Sequence, residues 1–169
     1  MDRDDTIAKD VPHCSDPDLF NVYPDVPDAI RRLNEAGFRT VIITNQSGIG
    51  RGMFDEATLS RIHDKMVGQI EAGGGRIDAI YFCPHAPDEG CSCRKPEIGM
   101  GLRAVKDMGL DPGKSFMIGD KEKDMEFGRR LGCRGTLLVK YPERTFSDAV
   151  DELLRQCRSR TASGPRALR

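Results

Sequence analysis

The sequence predicts an α/β fold, a three-layer sandwich in which helices cover both faces of a mainly parallel sheet. The alternation of two kinds of segment along the chain leads to this prediction. Short runs rich in β-branched and aromatic residues alternate along the chain with segments whose apolar residues recur at helical spacing. Because a helix separates each strand from the next, neighbouring strands can run parallel. The chain has 169 residues, which is long enough for one domain with a substantial core and short for two.

The first half of the chain contains two predicted helices, each followed by a strand. A helix over 25–36 has an apolar face and ends at a glycine, and a β-branched strand over 38–44 follows it. Asp55 can cap a second helix, whose apolar residues recur every three or four positions until the three glycines at 73–75. A strand over 77–82 follows this helix.

The second half repeats the alternation. A helix over 97–108 stops at a glycine and precedes a strand over 115–118. A short helix over 123–131 then leads into a strand over 135–139. Ser147 can cap a last helix, which completes a series typical of parallel βαβ units.

The totals for the chain exclude several classes of protein. A net charge of −1 at pH 7 argues against broad binding to nucleic acid or to anionic membranes. No apolar stretch approaches the roughly 20 residues of a membrane helix, and the acidic amino end does not fit a signal peptide. We therefore expect a cytoplasmic protein with one domain over residues 1–157 and a disordered basic tail over 158–169.

Four potential metal ligands cluster in the loop after the strand over 77–82. Cys83 and His85 form one pair, and Cys91 and Cys93 form another. Residues two apart in an extended segment point the same way, so each pair can bind one metal ion. Three thiolates and an imidazole are typical of a structural Zn²⁺ site. The alternative is a reduced surface loop with three unrelated cysteines.

Polar residues stand at the ends of two predicted strands, where an open parallel sheet binds its ligands. Thr44 and Asn45 end one strand, and Asp120 follows another. Together with Asp2 and Asp4, the Asp120 carboxylate can hold one Mg²⁺, a hard cation that prefers oxygen ligands. A hydroxyl, an amide and a lysine then remain to neutralise a phosphoryl group. This set of groups is what phosphoryl transfer needs.

The order and spacing of these segments resemble the haloacid dehalogenase (HAD) superfamily of phosphohydrolases. The matching segments are Asp2-Arg3-Asp4-Asp5-Thr6, Thr44-Asn45-Gln46-Ser47-Gly48, Cys93-Arg94-Lys95-Pro96, and Gly119-Asp120 with Asp124. With the cysteine loop they are similar to the branch that contains D-glycero-D-manno-heptose 1,7-bisphosphate phosphatases and histidinol-phosphatases. The resemblance extends from Asp2 to about Lys140. It implies a HAD-like Rossmannoid fold with a zinc-binding loop and no large cap domain.

The resemblance implies a role for each residue of the predicted site. Asp2 would attack phosphorus to give an aspartyl-phosphate, and Asp4 would protonate the leaving oxygen and later deprotonate the attacking water. Mg²⁺ would be held by Asp2, the backbone carbonyl of Asp4, and Asp120. The other expected contacts are Thr44 and Asn45 with phosphate oxygens, Lys95 with the transferring phosphoryl group, Lys121 with phosphate or metal-bound water, and Asp124 with Lys95 or metal-bound water.

The predicted function is a Mg²⁺-dependent phosphomonoesterase acting on a small-molecule phosphate ester. Arg51 and Arg94 are candidates for holding a second anionic group, since a guanidinium grips phosphate bidentately. They favour heptose bisphosphate as the substrate over histidinol phosphate. The alternative from a different class is a zinc-stabilised binding module with a catalytically dead site. The sequence leaves the oligomeric state open.

The amino terminus departs from the HAD pattern in two ways. In that fold a buried apolar strand precedes the first aspartate, whereas only Met1 precedes Asp2 here. The true start lies upstream, the chain has been cut, or the fold forms without its central strand; we expect the first of these. Loss of such a strand would leave two unpaired strand edges and much exposed apolar surface. Asp5 also replaces the glycine often found there, and aspartate tolerates a left-handed backbone.

Overall fold

Helices and strands alternate along the chain, as the sequence predicts. The computed structural model describes the backbone of residues 1–161 and the side chains of residues 1–158. In chain order the main elements are α1 (Val26–Glu35), β1 (Val41–Asn45), α2 (Glu56–Ala72), β2 (Ala79–Cys83), α3 (Gly99–Met108), β3 (Phe116–Gly119), α4 (Glu122–Leu131), β4 (Gly135–Leu138) and α5 (Phe146–Thr161). Short 3₁₀ turns lie at Pro17–Leu19 and Pro112–Lys114.

The strands form two parallel pairs that the first residues of the chain join. β1 pairs with β2, and β3 pairs with β4. Met1 lies against β1, where its amino group donates to the carbonyl of Val41 at 2.8 Å and its carbonyl accepts from Ile43 at 2.8 Å. The N–H of Asp2 donates to the carbonyl of Ile118 in β3 at 2.9 Å. Residues 1 and 2 therefore occupy the middle of the sheet, between β1 and β3.

Alternate residues of each central strand point to opposite layers of helices. Ile42 is buried in a cluster with residues of α1, α2 and α5, whereas Ile43 is buried in a second cluster with residues of α3 and α4. Ile118 and Met117 of β3 divide between the two clusters in the same way. This period of two is that of a strand buried on both faces. The α/β sandwich predicted from the sequence is confirmed.

Of the two helix N-caps predicted from the sequence, the one at α2 is confirmed and the one at α5 is wrong. Asp55 caps α2, and its carboxylate accepts from the N–H of Thr58 at 2.8 Å, as predicted. The prediction that Ser147 caps α5 is wrong. Thr145 and Asp148 instead exchange hydrogen bonds between side chain and backbone N–H in both directions, which satisfies two free donors at once. The hydroxyl of Ser147 accepts from Arg32 of α1.

The end of α5 extends into the segment predicted to be a disordered tail. The helix continues to Thr161, and residues 162–169 of that predicted tail lie outside the described residues. Within the part of the chain that the structure describes, no helix combines the length and apolar character that crossing a membrane requires.

An apolar groove of about 520 Å³ lies beside Met1, between β1 and β3. Its walls include Phe38, Val41 and Phe116. The amino group of Met1 is enclosed at this groove, although the residue as a whole is half-buried. Burial, with the nearby Lys95 charge as a smaller cause, lowers the pKa of this amino group from 8.0 to about 6.

We expect an engineered extension of about four valine or isoleucine residues ahead of Met1 to stabilise the protein by about 1–4 kcal/mol. The added residues can pair with the facing edges of β1 and β3, and the apolar area that they bury outweighs their ordering entropy. The extension also replaces the buried amine with an amide. Urea unfolding at pH 7 measures the effect.

A glycine-serine extension of the same length is the matched control. It removes the buried amine but adds little apolar burial, so its effect should be smaller. Equal stabilisation by the two extensions would show that the groove does not take up the apolar residues.

Candidate active site

Asp2 lies near the carboxyl ends of β1 and β3 because Met1 is hydrogen-bonded to β1 and the N–H of Asp2 donates to Ile118 of β3. Its carboxylate is buried, with Oδ1 2.7 Å from Nζ of Lys95 and 2.8 Å from the N–H of Arg3, which donates to it. Burial acts to raise the pKa of Asp2, but the Lys95 ammonium and the Arg3 N–H bring it below its ordinary value. The carboxylate is therefore ionised at neutral pH, the form that can attack phosphorus.

Lys95 is held in place by a second carboxylate and by an asparagine. Its Nζ lies 2.6 Å from Oδ1 of Asp124, and both side chains are fully buried. The Asn45 carboxamide donates to the carbonyl of Lys95 at 3.2 Å and accepts from its N–H at 3.0 Å. Oδ2 of Asp124 accepts from the N–H of Lys121 at 3.1 Å. Of the two contacts predicted for Asp124, the structure has the one with Lys95. The side chain of Asn45 is hydrogen-bonded to the backbone of Lys95.

Gly119, at the end of β3, has no side chain and so leaves room for Asp124 beside the strand. A Cβ atom at Gly119 would lie 2.4 Å from the Cβ of Asp124, well inside van der Waals contact. The strand can therefore reach the buried Asp124 only with glycine at this position. The glycine of the Gly119-Asp120 motif thus has a steric role that the sequence motif alone does not explain.

Three carboxylates gather beside Lys95 and suit a divalent cation. Asp2, Asp120 and Asp124 each place one oxygen within 4.8 Å of the others. Asp120 accepts from the hydroxyl of Thr6 at 3.4 Å and pairs with Nζ of Lys121 at 3.1 Å. Burial raises the pKa of Asp120 against the effect of Lys121, and the charges of Asp2 and Asp124 raise it further. A cation would relieve this repulsion, and a set of oxygen donors fits Mg²⁺.

The three carboxylates differ in whether they have an oxygen free to bind a metal ion. Both oxygens of Asp124 already have protein partners, namely Lys95 and the N–H of Lys121. Asp2 and Asp120 are thus the carboxylates of this cluster that are better placed to bind a metal ion. Asp2 and Asp120 are also the carboxylates that the sequence predicts as direct metal ligands, and that assignment stays a prediction.

Two residues for which the sequence predicts no role, Arg3 and Gln46, hold the carboxylate of Asp4. Nε and Nη2 of Arg3 lie 2.8 and 2.7 Å from Oδ1 of Asp4. The Gln46 carboxamide donates to Oδ2 of Asp4 at 2.9 Å and to Oγ1 of Thr44 at 2.8 Å. Arg3 and Gln46 both lie inside the matched motifs, so their positions were the only signal that could have found them. Thr44 is fully buried, and its hydroxyl accepts this hydrogen bond from Gln46.

The turn that follows Asp4 has the left-handed backbone expected at Asp5. The φ angle of Asp5 is +53°, and its Oδ1 accepts from the N–H of Asp10 at 3.0 Å. This local hydrogen bond is the kind by which aspartate stabilises such a conformation. The expectation that the turn survives without glycine is confirmed.

A cleft of about 230 Å³ opens in front of Asp2 and Asp4. Arg94 lines it, and so does Lys123, for which the sequence predicts no binding role. Arg51 is exposed and lines a separate depression beside the cysteine loop. Of the two arginines predicted to hold a second anion, Arg94 therefore lies in the cleft and Arg51 lies outside it.

The four predicted zinc ligands converge on one point. Sγ of Cys93 lies 3.2 Å from Sγ of Cys83 and 3.5 Å from Sγ of Cys91. Nδ1 of His85 lies 3.3 Å from Sγ of Cys93. In a tetrahedral site with zinc–ligand bonds of about 2.0–2.3 Å, neighbouring ligand atoms are about 3.5–3.8 Å apart. The cluster is close to that size, and its three cysteines are free thiols.

The cysteine cluster is joined to the cleft by Arg94. Nη1 of Arg94 donates to the backbone carbonyl of His85 at 3.2 Å. Cys93, Arg94 and Lys95 are consecutive, so the cluster and the buried lysine hold the two ends of this short segment. Burial raises the pKa of the Cys83 thiol. A metal ion would be needed to hold the three sulfurs together as thiolates.

Comparisons with known proteins give one consistent result. Residues 92–148 match a HAD-hydrolase-like family model. The chain is 45% identical over 132 residues to a probable D-glycero-D-manno-heptose-1,7-bisphosphate 7-phosphatase of Thermoplasma volcanium, an alignment covering 78% of the chain and 90% of that protein. It is 40% identical over 134 residues to the D-glycero-beta-D-manno-heptose-1,7-bisphosphate 7-phosphatase of Bordetella bronchiseptica, covering 79% of the chain and 75% of that protein.

Solved structures give the same picture. The crystal structure of the B. bronchiseptica D,D-heptose 1,7-bisphosphate phosphatase, complexed with magnesium and phosphate, superposes with a TM-score of 0.82 at 35% identity. That match covers 92% of this chain and 96% of the other. A HAD-like phosphatase structure from Mesorhizobium loti gives a TM-score of 0.82 at 30% identity, over 94% of this chain and 84% of the other.

Proposed function

Since the chain belongs to the D-glycero-D-manno-heptose-1,7-bisphosphate 7-phosphatase family of HAD-like hydrolases, we propose that it hydrolyses the 7-phosphate ester of that sugar bisphosphate. The protein is a phosphoric monoester hydrolase, and magnesium is its metal cofactor. The observation that carries the proposal is the ionised Asp2 carboxylate, paired with Lys95 in the floor of a cleft that Asp4 also lines.

The proposed reaction has two steps that regenerate the enzyme. The Asp2 carboxylate attacks phosphorus, the bond from phosphorus to the sugar oxygen breaks, and Asp4 donates a proton to that oxygen. Water then attacks the phosphorus of the aspartyl-phosphate, the bond from phosphorus to the Asp2 oxygen breaks, Asp4 takes a proton from the water, and inorganic phosphate leaves. Lys95 balances negative charge at Asp2 throughout, and Asp124 keeps Lys95 aimed at it.

The proposed ligands for Mg²⁺ are Asp2, Asp120 and the backbone carbonyl of Asp4. A bound Mg²⁺ would neutralise charge on the phosphate oxygens and on the crowded carboxylates. Thr6 and Lys121 both contact Asp120 and so orient it. Thr44 and Asn45 remain proposed phosphate contacts, Thr44 through its hydroxyl and Asn45 through its backbone amide.

A substrate panel tests the proposed function against its rivals. With Mg²⁺, the purified protein should release phosphate from heptose 1,7-bisphosphate with a higher kcat/KM than from histidinol phosphate, a sugar monophosphate or 4-nitrophenyl phosphate. A preference for histidinol phosphate would reassign the substrate. No release from any ester, by a folded protein, would favour a binding module with a dead site.

The cysteine loop is proposed to hold one structural Zn²⁺ through Cys83, His85, Cys91 and Cys93. The support is that the three Sγ atoms and Nδ1 of His85 converge, with contacts among them of 3.2–3.6 Å. These distances are close to those between the ligand atoms of a closed tetrahedral site. Such an ion would anchor Arg94 and Lys95 at the edge of the cleft, and it would take no part in the chemistry.

Removal of one thiolate is expected to remove the zinc. Purified protein should contain about one Zn²⁺ per chain, and Cys91→Ser should lose it, because a structural site depends on all of its ligands. Phosphatase activity should fall as a consequence of disorder around Lys95. Cys157→Ser, on α5 and away from the loop, is the matched control and should retain the metal. Protein that is fully folded and active without zinc would contradict this assignment.

Arg94 is proposed to hold the second phosphate of the substrate, with Lys123 as a further cation of the cleft. Both line the cleft, and the guanidinium of Arg94 is fixed by the carbonyl of His85. A guanidinium held in this way can grip a phosphate with its remaining donors. Arg51 was an equal candidate by sequence, but it lies outside the cleft.

Arg94→Gln is expected to lower kcat/KM for the heptose bisphosphate by about ten- to a hundredfold, because a lost charge-assisted contact costs about 1.5–3 kcal/mol. The loss on 4-nitrophenyl phosphate should be small, since that ester has no second phosphate. Arg51→Gln is the matched control and should affect neither substrate strongly. A selective loss in Arg51→Gln instead of Arg94→Gln would transfer the role to Arg51.

A further inference from the structure

Arg3 is buried among three groups, although the proposed reaction gives it no part. Its side chain is 3% exposed. Nε and Nη2 contact Oδ1 of Asp4, Nη1 lies 3.4 Å from Nε2 of His63, and the guanidinium carbon lies 5.4 Å from the centre of the Phe20 ring. A buried guanidinium needs partners for its charge and its donors. These partners leave Arg3 little freedom to move.

His63 faces Arg3 as a neutral hydrogen-bond acceptor. It lies on α2, 60 residues away in the chain, and is itself buried. Burial, together with the Arg3 charge, lowers the pKa of His63 from 6.5 to about 4. A guanidinium can only donate, so Nε2 of His63 accepts and the imidazole proton is on Nδ1. Through this contact α2 restrains the far side of the guanidinium.

The two oxygens of Asp4 have different partners. Oδ1 takes both donors from Arg3, whereas Oδ2 takes one hydrogen bond from Gln46. Oδ2 therefore retains a lone pair that can carry a proton, while Oδ1 is held by the charge of Arg3. The carboxyl plane is fixed from both sides.

We propose that Arg3, restrained by His63, is a positioning residue that aims Oδ2 of Asp4 at the leaving oxygen of the substrate. The proposal rests on the proposed function, in which Asp4 is the proton donor. When the phosphorus–oxygen bond breaks, the O–H bond at Oδ2 also breaks and its proton joins the sugar oxygen. Asp4 is then a carboxylate, and Arg3 stabilises its charge.

This role has a consequence that a purely structural role would not have. A sugar alkoxide is a poor leaving group and depends on the proton from Asp4, whereas 4-nitrophenolate leaves without one. Misplacing Asp4 should therefore slow cleavage of the sugar ester much more than cleavage of the aryl ester. The parameter to compare is kcat/KM, which includes the step that breaks the ester bond and not the later attack by water.

The experiment uses full-length protein with Mg²⁺ and compares the heptose bisphosphate with 4-nitrophenyl phosphate. His63→Leu keeps an apolar volume but cannot accept from Arg3, whereas His63→Gln can place an oxygen near the position of Nε2. The sugar-to-aryl ratio of kcat/KM should fall by about ten- to a hundredfold in His63→Leu and Arg3→Lys. In His63→Gln it should stay within about threefold of the original protein.

A double-mutant cycle shows whether the effect passes through Asp4. Asp4→Asn alone should lower the ratio strongly, and adding His63→Leu should lower it no further. Equal losses on both esters, or full additivity with Asp4→Asn, would overturn the positioning role. If Arg3→Lys fails to fold, the two His63 variants still decide the question, because they leave Arg3 in place.

The same data separate this proposal from the proposed function. If Asp4→Asn left the ratio unchanged, Asp4 would not be the proton donor, and the mechanism itself would fail. If Asp4→Asn lowered the ratio and His63→Leu did not, only the positioning role of Arg3 and His63 would be overturned.

Discussion

Asp2→Asn is expected to lower phosphate release by more than about 10⁴-fold, because the amide keeps the shape of the side chain but cannot attack phosphorus. Steady-state assay of the heptose bisphosphate with Mg²⁺ measures the loss. In the original protein, acid quenching during turnover of radiolabelled substrate should trap a phosphate bound to protein, and the variant should trap none. Retention of near-normal activity by Asp2→Asn would exclude the covalent route.

The matched control for this change is Asp64→Asn, an identical substitution at an exposed position of α2. It should leave turnover unchanged. Thermal unfolding should show that Asp2→Asn is folded, since Lys95 keeps Asp124 as its partner. A folded but inactive Asp2→Asn therefore separates loss of the nucleophile from loss of structure.

Lys95→Met is expected to destabilise the protein by about 3–5 kcal/mol at pH 8 in the absence of Mg²⁺, and to abolish activity. Asp2 and Asp124 would remain buried without the cation that both now contact at 2.7 and 2.6 Å, and an uncompensated buried charge is strongly unfavourable. Urea unfolding measures the change. Lys114→Met is the control, because that lysine is 82% exposed and its removal should have little effect.

The destabilisation by Lys95→Met should depend on pH in a direction set by Asp2. In the original protein the pKa of Asp2 lies below its ordinary 3.8, so the stability from this ion pair is present above pH 3.8 and is lost as pH falls through the lowered pKa. Without Lys95, burial becomes the leading effect and raises the pKa of Asp2. In the folded variant Asp2 then stays protonated to a higher pH than in the unfolded chain. The stability of the variant therefore falls as pH rises above about 4.

The difference in stability between the two proteins should therefore be smallest at acid pH, below the lowered pKa of Asp2, and largest at pH 8. Adding Asp124→Asn to Lys95→Met should recover part of the stability, since one of the two unpaired carboxylates is then neutral. A pH-independent difference, with no recovery in the double variant, would show that lost packing rather than charge causes the destabilisation.

Much of the fold follows from local sequence patterns. The alternation of apolar strands and amphipathic helices predicts the sandwich, and the cap at Asp55 was predicted because a single side chain reaches its own helix terminus. The cap of α5 was missed because two residues compete for the same terminus. Thr145 prevails because Asp148 reciprocates its hydrogen bond, while Ser147 is engaged by a helix more than a hundred residues away.

The candidate site divides in a similar way. Asp120 and the cysteine loop could be found by sequence because a strand end and ligand spacing place them, and Asp2 because its motif resembles that of the HAD superfamily. Arg3 and Gln46 could not be assigned a function, since their contacts with Asp4 depend on side-chain direction and not on spacing. Arg51 and Arg94 are equivalent as sequence, yet the fold places only Arg94 in the cleft.

The sequence by itself determined the order of strands and helices, the family resemblance, and which carboxylates and thiols could meet. These properties follow from periodicity and motif spacing, which are local. Only the tertiary structure decided that Lys95 pairs with both Asp2 and Asp124, that Asn45 fixes Lys95, and that His63 restrains Arg3. Each of these contacts joins side chains of distant elements in a buried space, and there the pairing of charges and the satisfaction of donors decide the partners.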